Sequence, residues 1–415
     1  MDFGPDSSCI FAYFNTMSLL QQIKSRAEEI FDEVVAHRRH IHAHPELSFE
    51  EKETARFVQD RLSELGIPFR ENVGGHGVVG MIEGESEGPT LALRADMDAL
   101  PILEANDTPY KSKNKGVMHA CGHDVHTSSL LGTARILQEH RSKLKGKIKL
   151  IFQPAEERFP GGASIMIKDG VLRKPEVSAI LGQHVQPFME RGKIGVRPGM
   201  YMASADEIYL KIKGKGGHAA MPGRFVDPIL IAAQTLTALQ QVVSRSDPRV
   251  PSVLSFGKIV GEGATNVIPE EVQIEGTFRT MNEAWRMKAH EKIKQIAQLT
   301  AESLEGKAEI EIRKGYPVLF NDEKLTLRSR DFIADYVGEE HIIDLDLWMA
   351  AEDFSYYTHE IPGCFYRLGT RNEEKGIVHG LHTPRFDVDE EALRLSTGLM
   401  AWLAIKQLEE QSVGQ

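Results

Sequence analysis

Cysteine is scarce in this sequence: Cys9, Cys121 and Cys364 are the only three in 415 residues, and they stand far apart. That excludes a disulfide framework and a paired-cysteine zinc finger, and a reducing cytosol is the expected setting. Basic charge is in deficit too, with 49 Lys and Arg against 60 Asp and Glu, a net −11. Such a balance argues against a nucleic-acid partner, which needs clustered cations to displace counterions. No apolar run reaches the roughly 18 residues that a membrane-spanning helix requires. The N-terminus has no basic stretch and carries Asp2 and Asp6, which speaks against a signal peptide. Residues 1–17 read as an extension, disordered or weakly docked. What remains is globular in composition, 41% hydrophobic and 26% charged, and long enough for about two to three domains.

Periodicity organises the chain. Leu19, Leu20, Ile23, Ile30, Phe31, Val34 and Val35 predict a helix over 18–45. His37, His40, His42 and His44 fall on or beside its polar face. A second helix is expected over 50–65, stopped by Gly66 and Pro68. Short apolar runs at 78–82, 91–93, 148–152 and 179–181 read as buried strands, with helical stretches such as 127–140 between them. Buried strands alternating with helices predict an α/β fold with a mostly parallel sheet flanked by helices. From residue 199 the pattern changes. A strand over 205–213, a helix over 227–244, strands over 252–260 and 271–280, a helix over 282–304 and a strand over 309–313 follow one another. That β-α-β-β-α-β order is the ferredoxin-like split unit. Helices at 323–337 and 390–408 resume the first style. The economical reading is a discontinuous domain, 18–198 and 314–415, interrupted by an α+β insertion over 199–313.

Reactive groups in an α/β sheet gather beyond the carboxyl ends of its strands. Asp96 and Asp98, Glu156 and Glu157, and His184 all stand at such places. MHACGHDVHT (118–127) adds Cys121, His123, Asp124 and His126, and GLHTPRFD (380–387) adds His382 close to the last helix, with His379 just before it. Each has a plain structural reading alone: paired glutamates solvate a surface, a lone histidine holds a hydrogen bond, a buried cysteine packs. Together they are the ligand types of a divalent metal site. The donors outnumber what one tetrahedral ion uses, which suggests two ions. One of the adjacent glutamates would then coordinate, and the other would serve as general base.

Eight segments carry a resemblance. LRADMDALP, MHACGHDVHT, QPAEE, GQHV, KGKGGHAAMPG, NVIPE, AAEDFSYY and GLHTPRFD occur in the order expected of the aminoacylase/carboxypeptidase metallopeptidase superfamily. The chain is similar to its amidohydrolase branch, with indole-acetyl-amino-acid hydrolases, hippurate hydrolases and N-acyl-amino-acid deacylases. The resemblance implies a catalytic domain with an inserted lid or dimerisation domain, and a homodimer. It implies cleavage of N-acyl amino acids (acetyl, benzoyl or indole-acetyl) by metal-activated water. By resemblance Cys121, His123, Glu157, His184 and His382 hold two divalent ions (zinc or manganese, with cobalt a further candidate), and Cys121 bridges them. Glu156 is implied as general base and acid, and Asp98 as the aspartate that orients a ligand. His218 would stabilise the oxyanion, from its own or a partner subunit. Asn266 and Arg279 would hold the substrate carboxylate, for which Arg offers a bidentate fork. Glu352 is expected near the metals without an assigned role.

The sequence departs from other branches at one place. They carry His where Asp96 stands and bridge with Asp, whereas here the ligand set shifts toward Cys121 and His123. Three rival readings remain: dipeptidase or carboxypeptidase action on the same site, a hydrolase with Cys121 as nucleophile, and a metal-binding scaffold. The cysteine hydrolase leaves Glu156, Glu157, His184 and His382 without a task, and a scaffold needs no general base.

Overall fold

The computed structural model describes residues 17–413, so all of the expected N-terminal extension except Met17 lies outside the described residues. Two compact units make up the chain. One comprises the chain up to Gly199, Asn321–Asp346 and the chain from Tyr356 onward; the other comprises Met200–Phe320 and Leu347–Ser355.

The first unit is built on an eight-stranded sheet. Its strands run in the order Phe69–Val73, Gly77–Glu83, Lys145–Gln153, Ser86–Asp96, Val177–Glu190, Gly363–Arg371, Ile194–Val196, Ile342–Asp344. The four central strands from Lys145–Gln153 to Gly363–Arg371 pair in parallel. Both of their faces are covered, so Leu91-Ala92-Leu93, Ile148 to Phe152 and Ile180-Leu181 are continuous buried apolar runs, apart from Lys149, whose ammonium donates to three carbonyls. The helices His123–Glu139 and Ala392–Val413 are buried along most of their length in the same core. Gly132 lets them pack closely, since a Cβ there would stand 2.8 Å from Thr397 Cγ2. Gly363–Arg371, a strand the sequence pattern concealed, is interrupted by Arg367, which is itself fully buried.

Two local expectations are corrected. The helix expected over 18–45 is two helices, Leu19–Glu29 and Phe31–Ala43; Ser18 and Gln21 form a capping box at the first. The helix expected from Thr127 begins four residues earlier at His123, because Gly122 adopts a left-handed conformation (φ 85°) and turns the chain there.

The second unit is a four-stranded antiparallel sheet in the order Ser252–Val260, Glu271–Thr280, Ser204–Lys213, Lys307–Lys314. The helices Pro228–Leu239 and Glu283–Ser303, capped by Asp227 and Asn282, share one apolar core with it. Alternation along Ser204–Lys213 puts Ile208, Leu210 and Ile212 into that core, so the ferredoxin-like order holds. The unit runs on to Phe320 rather than 313, since buried Arg286 binds both Asp206 and the carbonyl of Gly315. It also takes in Leu347–Ser355, assigned above to the surrounding domain: Ala203 N–H donates to Trp348 O, and Arg279 Nη1 to Met349 O at 3.0 Å. Among the described residues, no helix is long and apolar enough to cross a membrane.

Candidate metal centre

The carboxyl ends of the central strands bring the donors of the first unit together. Asp96 is the last residue of its strand, and Glu156 and Glu157 follow the strand that ends at Gln153. His184 stands within Val177–Glu190 rather than beyond a strand end. Pairing with Ser86–Asp96 ends at Arg94 opposite Gly182, so His184 still emerges level with its neighbour's tip. His382 sits in a loop with φ +59°, rare for a residue with a Cβ, and its N–H donates to Ala120 O at 2.8 Å.

These positions converge. Cys121 Sγ lies 3.4 Å from His184 Nε2 and 3.3 Å from His382 Nε2. Glu157 Oε1 is 3.1 Å from the same His382 nitrogen. Cys121, His123 and His184 can each offer one donor atom to a common point, as can Cys121, Glu157 and His382, and His123, Glu156 and Glu157. All five expected ligands and the expected base are therefore neighbours.

Two of the histidines are held in one orientation by their Nδ1 atoms. His123 Nδ1 donates to Asp98 O at 2.8 Å and faces Asp98 Oδ1 at 3.2 Å; His184 Nδ1 donates to Val185 O at 2.8 Å. A proton on Nδ1 leaves the Nε2 lone pair aimed into the cluster. His123 Nε2 is buried and makes no hydrogen bond, with Asp96 Oδ2 3.7 Å away. A buried ring nitrogen without a hydrogen-bond partner is costly, and the carboxylates around it favour positive charge there, which a bound ion would supply in place of a proton. The donor set of imidazole, thiol and carboxylate fits a divalent ion.

Charge leads to the same fit. Burial opposes protonation of His123, yet Asp96 and then Asp98 outweigh it and raise its pKa to about 10. Burial, with Glu157 and Glu156 adding to it, pushes the Cys121 thiol well above its usual range. A nucleophilic cysteine needs the opposite environment, whereas a cation among these ligands would stabilise the thiolate. Burial and Arg367 hold His184 well below its ordinary value, so its imidazole is neutral.

Asp98 organises the glutamates. Its Oδ1 accepts the Glu156 N–H at 3.0 Å, and its Oδ2 accepts the Glu157 N–H at 2.9 Å and the Ser48 hydroxyl at 2.6 Å. Ala155, just before them, has φ +53° and donates its N–H to Glu51 Oε1 at 2.7 Å. Ser48 and Glu51 were missed in the sequence, as their partners lie 50 and 104 residues away. His126 Nδ1 meets Asp96 Oδ1 at 2.6 Å while Nε2 accepts the Val185 N–H, so it braces the His184 strand. His119 is buried with neither ring nitrogen hydrogen-bonded, and it is not among the converging donors. The polar-face assignment is corrected for His37 and His42, both buried, because carboxylates and apolar groups from other segments cover them.

The remaining expected residues belong to the second unit. His218 and Asn266 are exposed on adjoining segments, with the Ala219 N–H donating to Asn266 O. Arg279 is partly buried and has no carboxylate partner among the described residues; burial alone lowers its pKa. Glu352 is buried, and its Oε1 accepts the Phe354 N–H at 3.0 Å.

A parallel-sheet unit that gathers thiol, imidazole and paired carboxylates at its strand tips defines a metal-dependent hydrolase. Residues 92–405 match the family described as Peptidase family M20/M25/M40, and the chain belongs to that family. It is 43% identical over 362 residues to the N-acetyl-L-cysteine deacetylase of Bacillus subtilis, covering 87% of this chain and 85% of that one. It is 39% identical to an Arabidopsis thaliana IAA-amino acid hydrolase, ILR1-like 4, over 93% and 88% of the two chains. The solved YXEP protein of Bacillus subtilis, described as a dinuclear metal-binding peptidase of the M20 family, superposes with a TM-score of 0.80. It is 35% identical, and 92% of this chain and 99% of that one are covered. The chain is accordingly a hydrolase of amide bonds.

Proposed function

We propose that this amidohydrolase cleaves N-acyl amino acids of the acetyl, benzoyl or indole-acetyl type to a carboxylic acid and a free amino acid. The observation that carries the reading is Asp98, which holds the main chain of Glu156 and Glu157 side by side at the donor cluster. Cys121, His123, Glu157, His184 and His382 would hold two divalent ions, zinc or manganese, with cobalt a further candidate. Cys121 would be central to that set, since its sulfur lies 3.4 Å from His184 Nε2 and 3.3 Å from His382 Nε2. Bound there, the ions supply Lewis acidity that polarises the amide carbonyl and acidifies water.

The chain's own groups divide the remaining work. Glu156 takes the proton from the attacking water and returns it to the leaving amine. Asp98 keeps His123 in the tautomer that presents Nε2. His218 stabilises the oxyanion. Asn266 and Arg279 hold the substrate carboxylate; a half-buried guanidinium whose one side-chain hydrogen bond goes to a carbonyl suits that task. In this reading the unit of Met200–Phe320 and Leu347–Ser355 is the lid and dimerisation domain, and the other unit is the catalytic domain. Exposed Val253, Ile259 and Val260 on the outer strand Ser252–Val260 support a homodimer formed there. The cysteine count supports a cytoplasmic location.

Glu156→Gln tests the reading. Assayed on acetyl-, benzoyl- and indole-acetyl-amino acids with zinc, manganese and cobalt, the variant should keep its metal and lose nearly all turnover. Full activity in that variant would overturn the role of Glu156.

A further inference from the structure

Behind the donor cluster, Arg38 is fully buried and binds carboxylates from two distant segments. Its Nε donates to Asp124 Oδ2 at 2.7 Å, Nη2 to Asp387 Oδ1 at 2.8 Å and Nη1 to Glu390 Oε1 at 3.2 Å. Tyr110 lies under the guanidinium, 4.5 Å from ring centroid to Cζ, and donates its hydroxyl to Asp387 Oδ2 at 2.9 Å. His42 Nδ1 stands 2.8 Å from Asp124 Oδ2. Asp124 directly follows His123, and Asp387 lies a few residues beyond His382.

We infer that Arg38 is a positioning residue that sets the spacing between the Cys121–His123 half of the centre and His382. The inference rests on the metal-centre reading above. Cys121 and His382 come from segments 261 residues apart. The His382 side chain is 52% exposed, so packing alone holds it loosely. A metal site tolerates errors of only about 0.2 Å in ligand distance. Beyond the main-chain bond from His382 N–H to Ala120 O, Arg38 adds rigidity: one planar group bonds the residue after His123 and the segment after His382 at once. A lysine, a point charge on a flexible stem, cannot reproduce that fork.

The test is Co²⁺ binding to the full chain after metal removal, followed by dialysis and visible absorption. It compares wild type, Arg38→Lys, Asp387→Asn and Arg39→Ala. Arg39 is the control, an exposed neighbour that pairs with Glu390. Wild type should take up two ions. Arg38→Lys and Asp387→Asn should keep one ion and the thiolate-to-cobalt absorption, while the other ion binds at least tenfold more weakly; Arg39→Ala should match wild type. If Arg38→Lys fails to fold, Asp387→Asn decides. A folded Asp387→Asn or Arg38→Lys that binds both ions as wild type does overturns the inference. So does an equal loss of both ions, or an equal weakening in Arg39→Ala. A wild-type chain that binds no pair of ions overturns the metal-centre reading itself.

Discussion

Asp98 accepts the main-chain N–H of Glu157 through Oδ2 at 2.9 Å, so the loop that carries the glutamates is fastened to the strand tip beside it. The same carboxylate takes the Glu156 N–H, the Ser48 hydroxyl and a contact from His123 Nδ1. These donors hold its pKa below the usual carboxylate value, although burial pulls the other way.

Asp98→Ala leaves those donors buried without an acceptor, at about 1–3 kcal/mol each before relaxation. It also removes the side-chain contact to His123, whose Nδ1 keeps only the Asp98 main-chain carbonyl. Metal affinity should fall about 10–100-fold, the range for losing a group that orients a ligand, with a lower Tm. Equilibrium dialysis and a thermal melt check both, and unchanged affinity would remove Asp98 from its assigned place.

Gly122 separates two expected ligands, and it is constrained twice. Its φ is +85°, and a Cβ would stand 2.5 Å from Val185 Cγ2. A left-handed residue with a Cβ costs about 1–2 kcal/mol, and the clash pushes Cys121 and His123 away from His184. Gly122→Ala should therefore lose metal and activity together while keeping its far-UV circular dichroism. A variant with a full complement of metal would show that this turn adapts.

His37 gives the first unit a pH dependence. Burial pushes its imidazole down to about 4, and Nδ1 is buried without a hydrogen bond. The folded state therefore binds fewer protons than the unfolded one between the ordinary histidine value and about pH 4. Stability contributed by neutral His37 is full above pH 6.5 and is lost as pH falls toward 4, at most about 3 kcal/mol. His37→Leu should flatten the fall of Tm over that window, and an identical slope in the variant would refute the assignment.

Local signals carried much of the fold. Strands Ser252–Val260 and Glu271–Thr280 and the helix Glu323–Val337 stand where the pattern places them. Their alternation, helical spacing and caps are properties of neighbouring residues. The donor chemistry was legible for the same reason, because cysteine, histidine and paired glutamate at strand tips are conspicuous in any order. What stayed hidden were groups whose meaning depends on a remote partner. The apolar run of Gly363–Arg371 is broken by Arg367, whose burial only the structure shows. His42 looks like a surface residue until Asp124 and Glu104 face it.

By itself, then, the sequence determined the class of fold and pointed to the candidate donor residues, since periodicity and side-chain chemistry belong to the residues themselves. Only the tertiary structure decided how the donors are held. Asp98 beneath the glutamates, Gly122 against Val185 and Arg38 between Asp124 and Asp387 act across tens to hundreds of residues. Burial turns such distant charges and close approaches into fixed geometry, because an unpaired charge or a misplaced Cβ in the interior costs more than the chain can spare.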